Sequence, residues 1–250
     1  MPAPRLTPEI RRHLMAPVAA IVFDKDGTLT ELNSRWVTFF RSIIAATAAD
    51  GGDPDAEHTL AERLGVGADH LVPGGPAAVK TESELMAIAL EHLVNRGWTA
   101  DQAITSIGVG LEAATFGRLA PLGAVASTVE ALAVDHVLGV ATSDNRANAR
   151  SELEQLGIAH HISALRCGDD GGPVKPDPEV LRSLSREWGL EPTRLLFVGD
   201  SEQDRDTARA AGTGFVAVVA EPGSEGEPDH PAPSVFGADA WVASIAELVD

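Results

Sequence analysis

Short apolar runs alternate along the chain with stretches of helical periodicity. The runs predict buried parallel strands, four of them strongly and the last two weakly: Val18–Phe23, His136–Ala141, Arg194–Gly199, Gly214–Ala220, His161–Leu165 and Ala240–Ser244. Between them, apolar residues recur every three or four positions, which is typical of amphipathic helices. Strands alternating with helices predict an α/β fold in which helices cover both faces of a parallel sheet.

The segment after the first strand has a different pattern. From about Glu31 to Leu119 the apolar period is that of a helix throughout, and two capping boxes, Thr81 to Glu84 and Thr99 to Gln102, predict helix starts. We therefore expect an α/β core domain formed by residues 1–30 and 120–250, with an all-helical domain, residues 31–119, inserted into it.

Composition and charge exclude several classes of partner. The 250 residues are 44% hydrophobic, and 19 basic against 37 acidic residues give a formal net charge of −18. A surface so acidic disfavours binding to nucleic acid, which requires a positive field. No apolar run approaches the roughly 20 residues that span a bilayer, so we expect no membrane partner. The start of the chain lacks a secretory signal pattern and Cys167 is the single cysteine, so we expect a cytoplasmic protein.

Reactive side chains follow the predicted strands at the points where they end. Those residues, with one lysine that precedes a helix, are Asp24, Asp26, Thr142, Ser143, Asp200, Asp204 and Lys175. Ligands of open parallel sheets bind at the carboxyl ends of the strands. We therefore expect these groups, distant in sequence, to meet at one edge of the sheet. Lys25, between the first two aspartates, is expected to point away from this edge and to lie on the surface or to act as a gate.

The first aspartates fit neither a calcium loop nor a receiver domain. An EF-hand loop that began at Asp24 would need a glycine at its sixth position and a glutamate at its twelfth, where this chain has Leu29 and Arg35. A two-component receiver domain also gathers aspartates, a threonine and a lysine, but the order of these residues differs and no large helical insertion follows its first strand.

Four motifs in order, DKDGTL (Asp24–Leu29), GVATSDN (Gly139–Asn145), KPDP (Lys175–Pro178) and GDSEQD (Gly199–Asp204), resemble the haloacid dehalogenase superfamily. Two further stretches, CGDDGGPVKPDPEVL (Cys167–Leu181) and LAPLGAVASTVEAL (Leu119–Leu132), are similar to its phosphoglycolate phosphatase branch. The resemblance implies a Rossmann-like parallel sheet core with an inserted helical cap domain, and a phosphatase that depends on Mg²⁺.

The resemblance also implies a role for each matching residue. Asp24 would be the nucleophile that forms an aspartyl-phosphate, and Asp26 the general acid and base. Thr142, Ser143 and Lys175 would bind the transferring phosphoryl group. The Mg²⁺ ligands would come from Asp24, Asp26, Asp200 and Asp204.

The implied substrate is a small phosphorylated metabolite, with 2-phosphoglycolate favoured. A sugar-phosphate phosphatase and a phosphotransferase of the β-phosphoglucomutase type remain alternatives. A non-catalytic relative that binds a phosphorylated ligand is a third, although such a protein would not need all the reactive residues. Both a monomer and a homodimer are compatible with the sequence.

Overall fold

The computed structural model describes residues 3–53, 55–219 and 237–249. The chain divides into two units. The first comprises Met1–Thr30 and Pro121–Asp250, and the second comprises Glu31–Ala120. The stretch Glu221–Ser234, which is rich in proline, glycine and acidic residues and is therefore predicted to be a loop, lies outside the described residues.

The first unit is built on a six-stranded sheet in the order β3-β2-β1-β4-β5-β6. Its strands are β1 (Ala20–Phe23), β2 (Val137–Ala141), β3 (Ile162–Arg166), β4 (Leu195–Gly199), β5 (Gly214–Val218) and β6 (Ala240–Val242). All five pairings are parallel. The prediction of a parallel α/β sheet is confirmed, and each apolar run locates the strand expected of it, although β3 extends one residue past its run, to Arg166.

Helices fill most of the remaining described chain. They are α1 (Pro8–Met15), α2 (Leu32–Gly51), α3 (Ala56–Leu64), α4 (Pro76–Val79), α5 (Glu82–Asn95), α6 (Ala100–Glu112), α7 (Val125–Leu132), α8 (Arg146–Gln155), α9 (Glu179–Glu187) and α10 (Glu202–Ala211). Short 3₁₀ turns occur at Ala159–His161, Pro192–Arg194 and Ile245–Leu248. In the described chain, no helix is both long enough and apolar enough to cross a bilayer.

Two apolar clusters hold the sheet from its two faces. Ile21 and Phe23 of β1 belong to one cluster, and Ala20 and Val22 belong to the other. This follows from the period of two along a strand, which turns successive side chains to opposite faces. All four β1 residues are fully buried, so β1 is the interior strand that holds the loop after it in place.

The second unit consists of helices α2–α6, and its described residues form no β-strand. Its core contains Trp36, Phe40, Ile44, Leu60 and Leu93. Both predicted capping boxes are present at the starts of α5 and α6. The helical period of this segment therefore reflects a core of its own.

The start of α9 differs slightly from the prediction. Asp177 followed by Pro178 is a sequence pattern that predicts an N-cap and a first helical residue, but the helix begins at Glu179 with Pro178 at the cap position. Pro178 has no N–H and no side-chain acceptor, so it cannot cap by a hydrogen bond of its own. The Asp177 carboxylate instead accepts a hydrogen bond from the Glu179 N–H at 2.9 Å. This turn follows closely on Lys175.

Candidate active site

Three neighbouring strands end in the predicted site residues. Asp24 follows β1, Thr142 follows β2, and Asp200 follows β4. Since β1 pairs in parallel with both β2 and β4, these residues lie at one edge of the sheet. The ladder continues into the first of them, because the Asp24 N–H donates to the Val198 carbonyl at 2.8 Å. The backbone therefore fixes where the Asp24 side chain begins.

Lys175 binds directly to the predicted nucleophile. Its Nζ donates to Asp24 Oδ1 at 2.5 Å and to Asp204 Oδ1 at 2.7 Å. All three side chains are buried, with 7% or less of each exposed. The loop that carries the lysine is tied to α10, since Gln203 Nε2 donates to the Lys175 carbonyl at 2.6 Å. Residues 151 and 29 positions apart in sequence thus form one hydrogen-bonded group.

Asp204 has two functions in the structure. One carboxylate oxygen accepts from Lys175, and the other accepts from the Ser201 N–H at 3.1 Å and the Ser201 hydroxyl at 2.6 Å. Ser201 and Asp204 form the capping box of α10. The start of α10 therefore fixes the position of this carboxylate, and the carboxylate contributes negative charge to the site.

The acidic groups of the site fit a divalent cation. Asp24, Asp200 and Asp204 each offer an oxygen, and these atoms all lie within 4.8 Å of one another. Burial raises the pKa of Asp24 to about 7, although the Lys175 ammonium opposes the rise. Burial, followed by the charges of Asp24 and Asp204, raises the pKa of Asp200 well above its usual range. A hard cation with oxygen ligands, such as Mg²⁺, would offset this repulsion.

A glycine makes room for one of these carboxylates. Gly27 has φ of +86°, and a Cβ at this position would overlap the Asp200 carboxylate. The turn is closed by hydrogen bonds from the Gly27 N–H to the Thr30 carbonyl, at 2.7 Å, and from the Leu29 N–H to the Lys25 carbonyl, at 2.8 Å. The DKDGTL motif therefore needs its glycine both for the backbone angle and for the space.

Asp26 lies beside the site and is held by other contacts. Its two oxygens are 2.8 and 2.7 Å from Lys25 Nζ, and Oδ1 also accepts from the Thr30 hydroxyl at 3.3 Å. Its side chain is 15% exposed, more than that of Asp24. A partly exposed carboxylate can exchange a proton with a substrate and with water.

Thr142 is buried, and its hydroxyl accepts from the Asp144 N–H at 3.1 Å. That contact leaves the hydroxyl proton available to another acceptor. Ser143, the next residue, is half-buried. The binding of a phosphoryl group by Thr142 and Ser143 stays a prediction from the sequence.

The family model of haloacid dehalogenase-like hydrolases matches residues 18–212. The chain belongs to this family. The match covers all four motifs and the three strands β1, β2 and β4, which precede Asp24, Thr142 and Asp200. The predicted membership is therefore confirmed.

Curated relatives of this hydrolase family match shorter stretches of the chain. An N-acetylmuramic acid 6-phosphate phosphatase of Pseudomonas aeruginosa is 36% identical over 114 residues, 46% of this chain and 49% of that protein. Phosphoglycolate phosphatases of Mesorhizobium japonicum and Rhodospirillum rubrum are 40% and 41% identical over 83 and 102 residues. These cover 33% and 41% of this chain, and 37% and 40% of those proteins. The chain therefore spans less than half the length of each relative.

Solved structures share the fold over nearly the whole chain. A predicted phosphoglycolate phosphatase from Haemophilus somnus 129pt has a TM-score of 0.68 at 24% identity, and the match covers 94% of this chain and 97% of that one. CbbY from Rhodobacter sphaeroides, solved in complex with phosphate, has a TM-score of 0.59 at 22% identity and covers 92% and 96%. At these identities the likeness establishes the fold.

The prediction that Lys25 lies on the surface is wrong in this member of the hydrolase family. Instead of lying on the surface, its side chain is fully buried, with Nζ 2.5 Å from Glu152 and 3.2 Å from Asp144. The signal that could have found it is in α8, where Glu152 stands among the apolar positions Ala149 and Leu153. A glutamate on a buried helix face requires a cationic partner.

Proposed function

We propose that the protein is a Mg²⁺-dependent phosphatase that hydrolyses a small phosphomonoester through an aspartyl-phosphate on Asp24. The supporting observation is the hydrogen bond from Lys175 to Asp24, made within reach of the Asp200 and Asp204 carboxylates. A buried carboxylate that shares an ammonium and faces two further carboxylates suits phosphoryl transfer, in which positioning and charge stabilisation supply most of the catalysis.

In the proposed first step, an Asp24 oxygen attacks phosphorus as the bond to the ester oxygen breaks. Asp26 donates its proton to the departing alkoxide, so the alcohol leaves neutral. Lys175 holds Asp24 in place and stabilises the phosphoryl oxygens with its charge, and donors of the Thr142–Ser143 loop bind the same oxygens.

In the second step, Asp26 takes a proton from a water molecule as the water oxygen attacks phosphorus. The bond from phosphorus to Asp24 then breaks, which releases inorganic phosphate and restores both carboxyl groups for another turnover. The two steps use Asp26 first as an acid and then as a base.

We propose that Asp24, Asp200 and the backbone carbonyl of Asp26 would hold the Mg²⁺, with Asp204 beside them. The bound cation would supply positive charge that lets an anionic ester approach these carboxylates. Asp204 is already engaged by Lys175 and Ser201, which favours a supporting place for it.

For the substrate we propose 2-phosphoglycolate, supported by the similarity to the two phosphoglycolate phosphatases. A sugar phosphate is the second candidate, because the Pseudomonas aeruginosa relative is an N-acetylmuramic acid 6-phosphate phosphatase. The role of the helical unit as a cap domain, the cytoplasmic location and the monomer or homodimer stay predictions from the sequence.

A phosphate-release screen tests the proposal. 2-Phosphoglycolate, N-acetylmuramic acid 6-phosphate and other sugar phosphates are assayed with and without Mg²⁺. The enzymes are wild type, Asp24→Asn and, as a matched control, Asp135→Asn at an exposed position of the same unit. We expect Mg²⁺-dependent release by wild type and control, and none by Asp24→Asn. Phosphate release that survives in Asp24→Asn would contradict the role of Asp24 as the nucleophile. No release from any ester would favour a non-catalytic protein that binds a phosphorylated ligand.

A further inference from the structure

A second buried lysine, Lys25, lies next to the site, and its ammonium group contacts Asp26. Lys25 Nζ is within 2.8 Å of both Asp26 oxygens, 2.5 Å from Glu152 Oε2 and 3.2 Å from Asp144 Oδ2. The Lys25 side chain is fully buried, as is Glu152. Lys175 contacts the nucleophile and Lys25 contacts the proposed acid and base, so each catalytic aspartate has its own lysine.

Lys25 Nζ is also held by two carboxylates that lie outside the turn after β1. Glu152 lies on α8, one residue before the core residue Leu153. Asp144 is itself fixed, because its Oδ1 accepts from the Asn145 N–H at 2.7 Å and its Oδ2 from the Asn148 amide at 2.8 Å. A charge taken out of water is stable only with partners of good geometry, and here those partners are themselves held by α8 and its first turn.

Contacts from Lys25 to both carboxylate oxygens restrict the Asp26 side chain. Lys25 Nζ donates to Oδ1 at 2.8 Å and lies 2.7 Å from Oδ2, and Oδ1 also accepts from the Thr30 hydroxyl at 3.3 Å, so the rotation of the carboxylate is restricted. A proton-transferring group has to be held within about 0.5 Å of its productive position by neighbours that are themselves locked in place.

We propose that Lys25, anchored by Glu152 and Asp144, is a positioning residue that orients the Asp26 carboxylate for proton transfer to the leaving group. This inference rests on the proposed phosphatase function. Lys25 acts through Asp26 and does not touch the substrate.

A leaving-group comparison separates this role from a merely structural one. An alkyl phosphate needs a proton on its departing oxygen, whereas p-nitrophenyl phosphate releases a stable phenolate that needs little help. The ratio kcat/KM covers only events up to release of the alcohol, so it isolates the step in which Asp26 is the acid. General acid catalysis contributes about 10²–10⁴-fold, so the two esters respond very differently when Asp26 is misplaced.

The experiment measures kcat/KM for p-nitrophenyl phosphate and for the best alkyl ester of the screen, with Mg²⁺ present. The variants are Lys25→Met, Glu152→Gln and Asp26→Asn. Lys80→Met is the matched control, since it removes a lysine–glutamate pair that is 40% exposed in the helical unit. Thermal unfolding of each variant is recorded in the same buffer.

For Lys25→Met we expect a loss of about 100-fold on the alkyl ester and little change on the nitrophenyl ester, which is the pattern of Asp26→Asn. Glu152→Gln keeps the ammonium, so it should fold and show a weaker loss, about 10-fold, of the same kind. Lys80→Met should match wild type on both esters.

Equal losses on both esters in Lys25→Met and Glu152→Gln, or no loss in either, would overturn the inference while the phosphatase function stands. Should Lys25→Met fail to fold, Glu152→Gln alone decides between these results. A wild-type protein that hydrolyses neither ester would contradict the proposed function and, with it, this inference.

Discussion

At the scale of single residues, Lys175 supplies positive charge that offsets the carboxylates of the site. It is buried between two carboxylates at 2.5 and 2.7 Å. Burial alone lowers the pKa of this lysine, but Asp204 and Asp24 raise it above the ordinary value. The lysine is therefore positively charged at neutral pH, and its charge stabilises both buried aspartates.

We expect Lys175→Met to lower the free energy of unfolding by about 3 kcal/mol without Mg²⁺, because it leaves two buried carboxylates facing each other. Lys80→Met, which breaks an exposed pair with Glu84, should cost less than about 1 kcal/mol. Urea unfolding followed by circular dichroism measures both. Equal costs for the two variants would show that burial does not strengthen the dependence of these aspartates on Lys175.

Cys167 offers a pH-dependent test of burial. Its side chain is buried, and burial, reinforced by Asp170, raises the pKa of its thiol to about 12 from a reference of 9.0. Since the thiolate is the reactive form, the folded protein at pH 8 should be alkylated about 1000-fold more slowly than the chain unfolded in guanidinium. The rate should climb as pH rises toward the raised pKa. Similar rates for folded and unfolded chains would show that the thiol is accessible and its pKa ordinary.

Motif residues were the easiest part of the site to predict. Asp24, Thr142 and Asp200 each follow an apolar run, and Lys175 stands just before a helix, so their approach to one edge follows from the rule for parallel sheets. The burial of Lys25 was missed because alternation along a strand no longer applies beyond the end of β1, and the turn already begins at Lys25, whose carbonyl accepts from the Leu29 N–H. Glu152 among the apolar positions of α8 signals a buried cationic partner, but the local sequence does not specify which residue supplies it.

At the scale of elements, the turn after β1 couples backbone geometry to the acidic cluster. Gly27 adopts φ of +86° in the space beside Asp200. Left-handed backbone angles are common among the glycines of this chain, and Gly157, with φ of +75°, faces open space within the described part of the chain where a Cβ would lie. The two glycines therefore separate the cost of the angle from the cost of the lost space.

We expect Gly157→Ala to cost about 1 kcal/mol of stability, the penalty of a left-handed angle, and to leave phosphatase activity unchanged. Gly27→Ala carries the same penalty and also displaces Asp200, so Mg²⁺-dependent activity should fall by at least about 100-fold, a loss of the size caused by small misplacements in active sites. Steady-state kinetics and urea unfolding of both variants check this. An active Gly27→Ala enzyme would contradict the close packing at Asp200.

The apolar runs predicted that the strands exist, but they did not predict the residues at which the strands begin and end. β1 begins at Ala20 and β5 ends at Val218, which is two residues inside the predicted run in each case. Strand ends depend on hydrogen bonding to neighbouring strands, which a run of apolar letters does not encode. Capping boxes located the starts of α5 and α6 because their side chains act locally.

On the scale of the whole molecule, the sheet order makes the site. β1 lies between β2 and β4, so the residues after these three strands become neighbours even though the chain leaves the sheet for residues 31–120 after β1. Strand order could not be read from periodicity, since any parallel order buries the same apolar runs. The family resemblance implied a Rossmann-like parallel core, and no order of its strands was predicted.

We expect Mg²⁺ to stabilise the whole protein through this site. At 100 times its Kd, a ligand that binds only the folded state adds about 2.7 kcal/mol, which should raise Tm by about 5 °C in a chain of this length. Asp200→Asn should remove the Mg²⁺-dependent rise, and the exposed-site control Asp135→Asn should keep it. Differential scanning calorimetry measures the shift. A rise that persists in Asp200→Asn would place the cation elsewhere.

Trapping the covalent intermediate tests the central claim most directly. The enzyme is mixed with its best substrate and Mg²⁺, quenched in acid during turnover, and treated with borohydride, which reduces an aspartyl-phosphate to homoserine. Peptide mass spectrometry then locates the reduced residue. We expect homoserine at position 24, dependent on substrate and absent from Asp26 and Asp200. Turnover with no reduced aspartate, or with the label at another position, would contradict the role of Asp24 as nucleophile.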